Sequence, residues 1–136
     1  MPQRKLFDQK TLNELKKHPL YSQDGKGNKA VAYAKIFNPY GGQTWYITEW
    51  DGDDTFFGYV DNGQDSELGY MSKKELENAR VNVYGTRLPL ERDAYYKPTS
   101  LGDIKKEISR NTGRSFSDSE IRQSNSAASS VANSNG

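Results

Sequence analysis

Gln43-Thr-Trp-Tyr-Ile-Thr-Glu-Trp-Asp-Gly-Asp-Asp-Thr-Phe-Phe-Gly-Tyr-Val60 is the stretch on which the fold turns. Two runs rich in aromatic and β-branched residues flank Asp51-Gly52, a pair that tolerates positive φ and favours a tight hairpin turn. The first run sets Trp45, Ile47 and Glu49 against Tyr46, Thr48 and Trp50, which predicts a strand over 43–50, and the second predicts the returning strand over 55–60. Upstream, Ala30–Phe37 reads as a strand with Val31, Tyr33, Lys35 and Phe37 on one face and Ala32, Ala34 and Ile36 on the other, ended by the turn Asn38-Pro-Tyr-Gly-Gly42. Downstream, Asn62-Gly63 marks another turn and Glu67–Met71 a short edge strand. The centre of the chain is therefore expected to be a four-stranded antiparallel meander. With Trp45 and Ile47 toward the core, Tyr46 and Trp50 face outward or lie under a helix.

Short helices flank it. Thr11-Leu-Asn-Glu14 reads as a capping box opening a helix to about Lys17, stopped because Pro19 disfavours helical geometry at His18, with Leu12, Leu15 and Leu20 as its apolar stripe. Gln23–Asn28 is a loop. Ser72-Lys-Lys-Glu75 is a second capping box, predicting a helix to about Arg80 that buries Leu76 and Ala79. Val81–Tyr96 reads as extended around Pro89, with Leu88 and Leu90 covering one end of the sheet. Ser100 starts a last helix with Leu101, Ile104 and Ile108 on one side and cations toward its end. Past Asn111 the composition falls to Ser, Asn, Ala and Gly, which bury too little apolar surface to offset ordering entropy. The expectation is α+β: one domain over 1–110 and a disordered, flexible Ser/Asn-rich tail over 111–136.

Composition narrows the function classes. The 136 residues are 33% hydrophobic, enough for one small core. A formal charge of +1 and a pI near 7.8 argue against a dedicated nucleic-acid binder. No cysteine is present, so disulfides, thiolate nucleophiles and zinc-thiolate sites drop out together. Residues 1–20 hold no apolar core of signal-peptide length, and nothing approaches the roughly 20 apolar residues a membrane span needs. A cytoplasmic protein without a membrane partner is expected.

The charge is strongly segregated. From Phe37 to Ser72 lie seven carboxylates and nine aromatic rings without one Lys or Arg. Rings bordered by acids suit a basic protein partner better than phosphate-bearing strands, whose stacking platforms are ringed by cations. Imitation of DNA phosphates is the extreme form of that idea. The candidate binding residues are Tyr46, Glu49, Trp50, Asp51, Asp53, Asp54 and Tyr59. Asp51, Asp53 and Asp54 share one loop, yet the spacing of a calcium loop is missing, so they read as a solvated turn and no metal or cofactor is assigned. His18, the only histidine, reads as a helix-end cation or a packed ring, and Glu49 with Asp54 is a carboxylate pair of a kind any acidic hairpin offers. Arg87, Arg92 and Lys97 form a candidate anion contact, against a plainer reading in which they pair with the acidic sheet of the same molecule. The Glu67–Met71 edge could join two copies, Lys73 and Lys74 opposing it, so a monomer or weak dimer is expected.

The run Thr44–Asp61, followed by Glu67-Leu-Gly-Tyr70, Leu88-Pro-Leu-Glu-Arg-Asp93 and Tyr96-Lys-Pro98, resembles the domain-of-unknown-function family 2958 over most of Leu12–Ile104. That resemblance implies an accessory protein of plasmids, conjugative elements or phages, and brings no catalytic residues with it. The expected function is a non-catalytic binding protein of such an element, engaging a protein partner, for instance a host-defence component, through its acidic aromatic sheet. A nucleic-acid or nucleotide binder is the second reading, and a metal-dependent hydrolase on the acidic hairpin the third.

Overall fold

The structure, a computed structural model, describes residues 5–113. The decisive hairpin is present: β3 (Thr44–Trp50) and β4 (Thr55–Asp61) pair antiparallel. Its connection is a four-residue loop, not a two-residue turn. The Asp51 carboxylate accepts from the Asp53 N–H at 2.7 Å and the Thr55 N–H at 3.1 Å, and Gly52 takes φ +84°. The pairing also slips between Ile47 and Glu49, leaving Thr48 as a bulge. Opposite it stands Gly58, where a Cβ would lie 1.9 Å from the Tyr46 carbonyl oxygen. The bulge breaks the expected alternation, so Trp50 joins Ile47 on one face while Tyr46 lies on the other.

β2 (Ala34–Phe37), β3, β4 and β5 (Ser66–Ser72) form the expected meander. A fifth strand, the two-residue β8 (Glu91–Arg92), pairs with the free side of β2 and gives the order β5-β4-β3-β2-β8. The predicted first strand is interrupted at Tyr33, whose ring stacks on His18 at 3.8 Å. Residues before the break form β1 (Val31–Ala32), which leaves the sheet to pair with β9 (Thr99–Ser100). Ala32 is therefore separated from Ala34 and Ile36, which it was expected to join on one face.

Both faces of the sheet are covered. On one, Phe7, α1 (Gln9–Lys16) and α2 (Lys73–Asn78) close over Ile36, Ile47, Trp50, Phe56 and Met71. On the other, α3 (Leu101–Thr112) lays Leu101, Ile104 and Ile108 on Tyr46 and Tyr59. Each large apolar side chain so buried contributes about 1.5–3 kcal/mol. Helix starts follow local chemistry: Ser72 and Ser100 accept from the N–H groups of Glu75 and Asp103, as read from the sequence. The first cap is Asp8 instead of Thr11, whose N–H it binds at 2.8 Å, and α2 ends at Asn78, short of Arg80. The segment expected to be merely extended holds a hairpin, β6 (Arg80–Val83) with β7 (Thr86–Pro89), turning through Tyr84 and Gly85 at positive φ. α3 continues past the expected boundary to Thr112 and is closed by Gly113 at φ +73°. Beyond it, the predicted tail lies outside the described residues.

Candidate functional site

Four of the residues expected on an acidic aromatic surface are interior. Tyr46 and Trp50 are each 8% exposed, Glu49 2% and Tyr59 1%. The bulge turns Trp50 beneath α1 and α2, α3 covers Tyr46 and Tyr59, and cations from outside the acidic run, one on α3 and one on β2, stand against those two rings. The Lys105 ammonium stands 5.4 Å from the Tyr59 ring centroid and the Lys35 ammonium 5.8 Å from that of Tyr46. The hairpin acids are architectural: Asp51 closes its own loop, and Asp54 accepts from the Ser72 hydroxyl at 2.7 Å and the Lys74 N–H at 2.8 Å. Asp53 is exposed, and its carbonyl accepts the Trp50 indole N–H at 2.8 Å. Among the described residues no three His, Cys, Asp or Glu are grouped to hold a metal ion.

The candidate anion contact is dispersed. Arg92 reaches back to the Leu6 carbonyl at 3.0 Å and the Asp8 carboxylate at 3.1 Å, fastening the N-terminal segment to the sheet edge. Arg87 is exposed on β7 and Lys97 in the segment before β9. No described helix is long and apolar enough to cross a membrane.

Of the rings in the acidic run, Tyr40 and Tyr70 stay half-exposed, and at Tyr70 buried Glu49 builds a corner. After Pro19 the chain turns back, and the two Glu49 oxygens accept the N–H groups of Tyr21 and Gln23, each at 2.8 Å. The Gln23 side chain then acts as a substitute strand residue. Its amide nitrogen donates to the Val31 and Thr48 carbonyls at 2.9 and 2.8 Å, and its oxygen accepts the Val31 N–H at 2.6 Å. Thr48, freed by the bulge, donates its hydroxyl to the Phe57 carbonyl at 2.9 Å. Pinned this way, Tyr21 adopts φ +74°, a conformation that costs a non-glycine residue energy and persists only where the surroundings impose it. It projects outward, 53% exposed, until its hydroxyl meets that of Tyr70, also 53% exposed, at 3.5 Å. The Tyr70 ring packs edge-on against Phe57 at 5.0 Å.

Asp24 and Glu49 give this corner its charge. Burial pushes both carboxyls above their usual range, opposed at Glu49 by its two N–H donors. The Tyr70 hydroxyl, bonded to that of Tyr21 and close to both acids, is pushed up to about 12 and stays protonated at neutral pH. Two half-exposed phenols thus offer apolar area and hydrogen-bonding tips beside negative charge. Sequence reasoning missed Tyr21 and Asp24 because the loop after Pro19 carries no periodic pattern. Tyr70 was also missed, because a place on an edge strand does not say which side chains are exposed, and Met71 next to it is buried.

No curated protein and no solved structure matches the chain. The family model described as protein of unknown function (DUF2958) matches residues 6–114, which takes in every element from α1 to α3, and the chain belongs to that family.

Proposed function

We propose that this protein is a non-catalytic binding module that holds a protein partner on the Tyr21–Tyr70 corner. The observation that carries the reading is the buried Glu49 carboxylate, which holds Tyr21 in a left-handed conformation that keeps its ring out of the core. Strain of this kind concentrates at functional positions, and tyrosines at the centre of a contact are frequent anchors. The neighbouring acids favour a partner with a basic face. Service to a bacterial mobile element or phage, with a host-defence component as partner, belongs to the same proposal and is supported by the family resemblance alone.

The test begins with capture of partners from host lysate, with and without nuclease, and continues with affinities for the captured protein. Tyr21→Ala should weaken binding by about 2 kcal/mol, some thirty-fold in Kd, with an unchanged thermal midpoint. Tyr46→Ala should instead unfold the domain. Equal affinity of Tyr21→Ala and wild type would end this reading. A second reading, nucleic-acid binding, is favoured by one observation: the β6–β7 hairpin carries a fully exposed Tyr84 at its tip and an exposed Arg87. It requires recovered nucleic acid, and affinity that falls steeply with salt.

A further inference from the structure

The two ends of the five-stranded sheet differ. One is the two-residue β8; the other is β5, whose seven residues pair with β4 in unbroken register from Ser66 to Ser72. Among the described residues no strand pairs with the outer side of β5. Folded proteins blunt such an edge with lysine, proline, a bulge or brevity. Ser66-Glu-Leu-Gly-Tyr-Met-Ser72 has no lysine, proline or bulge, and the exposed Glu67 is its single charge. The lysines that appeared to guard it, Lys73 and Lys74, lie in α2, and the Lys73 ammonium is held by Glu77 at 3.0 Å.

We infer that β5 pairs antiparallel with β5 of a second copy of this chain, about a two-fold axis at Gly69. The strand is complementary to itself in that register. Directly opposed residues of an antiparallel pair share a face, and Gly69 is the midpoint of the strand, so this centre alone pairs all seven residues. Leu68 of each copy then faces Tyr70 of the other, Glu67 faces Met71 and Ser66 faces Ser72. No like charges oppose one another, and two aliphatic–aromatic pairs form on one face. At the axis two glycines meet with no side chains between the backbones. Past the strand ends the same register sets exposed Asp65 across from Lys73. A cationic peptide is a poorer occupant, because the strand holds a single acid with two lysines following it. The pairing makes one ten-stranded sheet and sets two Tyr21–Tyr70 corners side by side. It does not rest on the partner reading, since it is measured without any partner.

Sedimentation equilibrium of the full chain should give double the 15.4 kDa mass of one copy. A Cβ at Gly69 meets nothing within 4 Å, so Gly69→Lys fits the single copy while setting two ammonium groups together at the axis. The expected result is a dissociation constant raised at least about ten-fold, with the thermal midpoint extrapolated to monomer not lowered. Cysteine variants test the register in a chain that has none of its own. Gly69→Cys should form a disulfide-linked dimer on mild oxidation, because directly opposed residues lie about 4.5–5.5 Å apart between Cα atoms. Glu67→Cys should not, its two copies being displaced about 13 Å along the strands. Wild type that stays monomeric at every concentration overturns the inference. So does a dimer indifferent to Gly69→Lys, or cross-linking of Glu67→Cys as fast as Gly69→Cys; if Gly69→Lys fails to fold, the cysteine pair decides.

Discussion

Gly58 and Glu49 show how single residues set the shape of the sheet. The Thr48 bulge brings the Tyr46 carbonyl down onto Gly58, so a methyl group there would collide with backbone that cannot move without breaking the ladder. Gly58→Ala should cost about 3 kcal/mol or more in urea denaturation. At Gly69, where the space is open, the same change should stabilise the single copy by about 0.5–1 kcal/mol, because glycine loses more backbone entropy than alanine in a strand. Glu49 meets two N–H donors with two oxygens, and glutamine can accept only one of them. Glu49→Gln should therefore cost about 1–3 kcal/mol. Burial raises the Glu49 carboxyl above its usual range, so the folded state binds this proton more tightly than the unfolded one. The resulting stability is complete below the ordinary carboxylate pKa and is lost as pH rises through the folded value. The stability of wild type minus that of Glu49→Gln should accordingly be larger near about pH 4 than near about pH 7, read from urea midpoints at both. A difference that grows with pH would contradict the assigned shift.

At the scale of elements, α2 shows what a sequence reveals readily. It has six residues, too few to persist alone, and its start is fixed by Ser72, which accepts from the Glu75 N–H at 3.1 Å and donates to Asp54 at 2.7 Å. Ser72→Ala removes both bonds and should cost about 1–2 kcal/mol. The Ser72 hydroxyl is also the main reason the Asp54 carboxyl lies below its usual range. Its contribution to stability is thus present above the ordinary carboxylate pKa and lost as pH falls through the folded value, and an NMR titration should find the Asp54 pKa raised in Ser72→Ala. Caps were legible because the partners lie three residues apart. The meander was legible because turn residues punctuate alternating strands. The Thr48 bulge was not, since nothing in Ile47-Thr48-Glu49 differs locally from a regular strand and its cause lies across the sheet in Gly58 and Gln23. Nor was the break at Tyr33, which depends on stacking with His18 and on β1 meeting β9 some 68 residues later. The β6–β7 hairpin did have a signal in Tyr84-Gly85, which Pro89 obscured by suggesting irregular chain.

For the whole molecule, the consequential error in reading the sequence was to give the sheet one wet face. Seven acids and nine rings looked like a surface because their counter-residues, Lys105 on α3 and Lys35 on β2, lie outside the run. Of the candidate site, the acidic aromatic character was legible, but the corner where it reaches solvent was not, because exposure of Tyr21 depends on a hydrogen bond spanning 28 residues. Two apolar clusters on opposite faces share β3 and β4, which ties their stabilities together. The chain contains a probe for each side. Both tryptophans, Trp45 and Trp50, pack in the cluster under α1 and α2, whereas Tyr46, Tyr59 and Tyr96 pack in the cluster under α3. Tyr33 packs with the tryptophans, so tryptophan fluorescence should report the face under α1 and α2, and the resolved NMR ring signals of Tyr46 and Tyr59 the face under α3. If the sheet couples them, the two transitions coincide in one two-state step. Ile104→Ala, a cavity beneath α3 costing about 2–5 kcal/mol, should then lower both midpoints equally although no tryptophan belongs to that cluster. A tyrosine transition that moves alone would mean that α3 is a separable cover, and that Tyr46 and Tyr59 become exposed whenever it lifts.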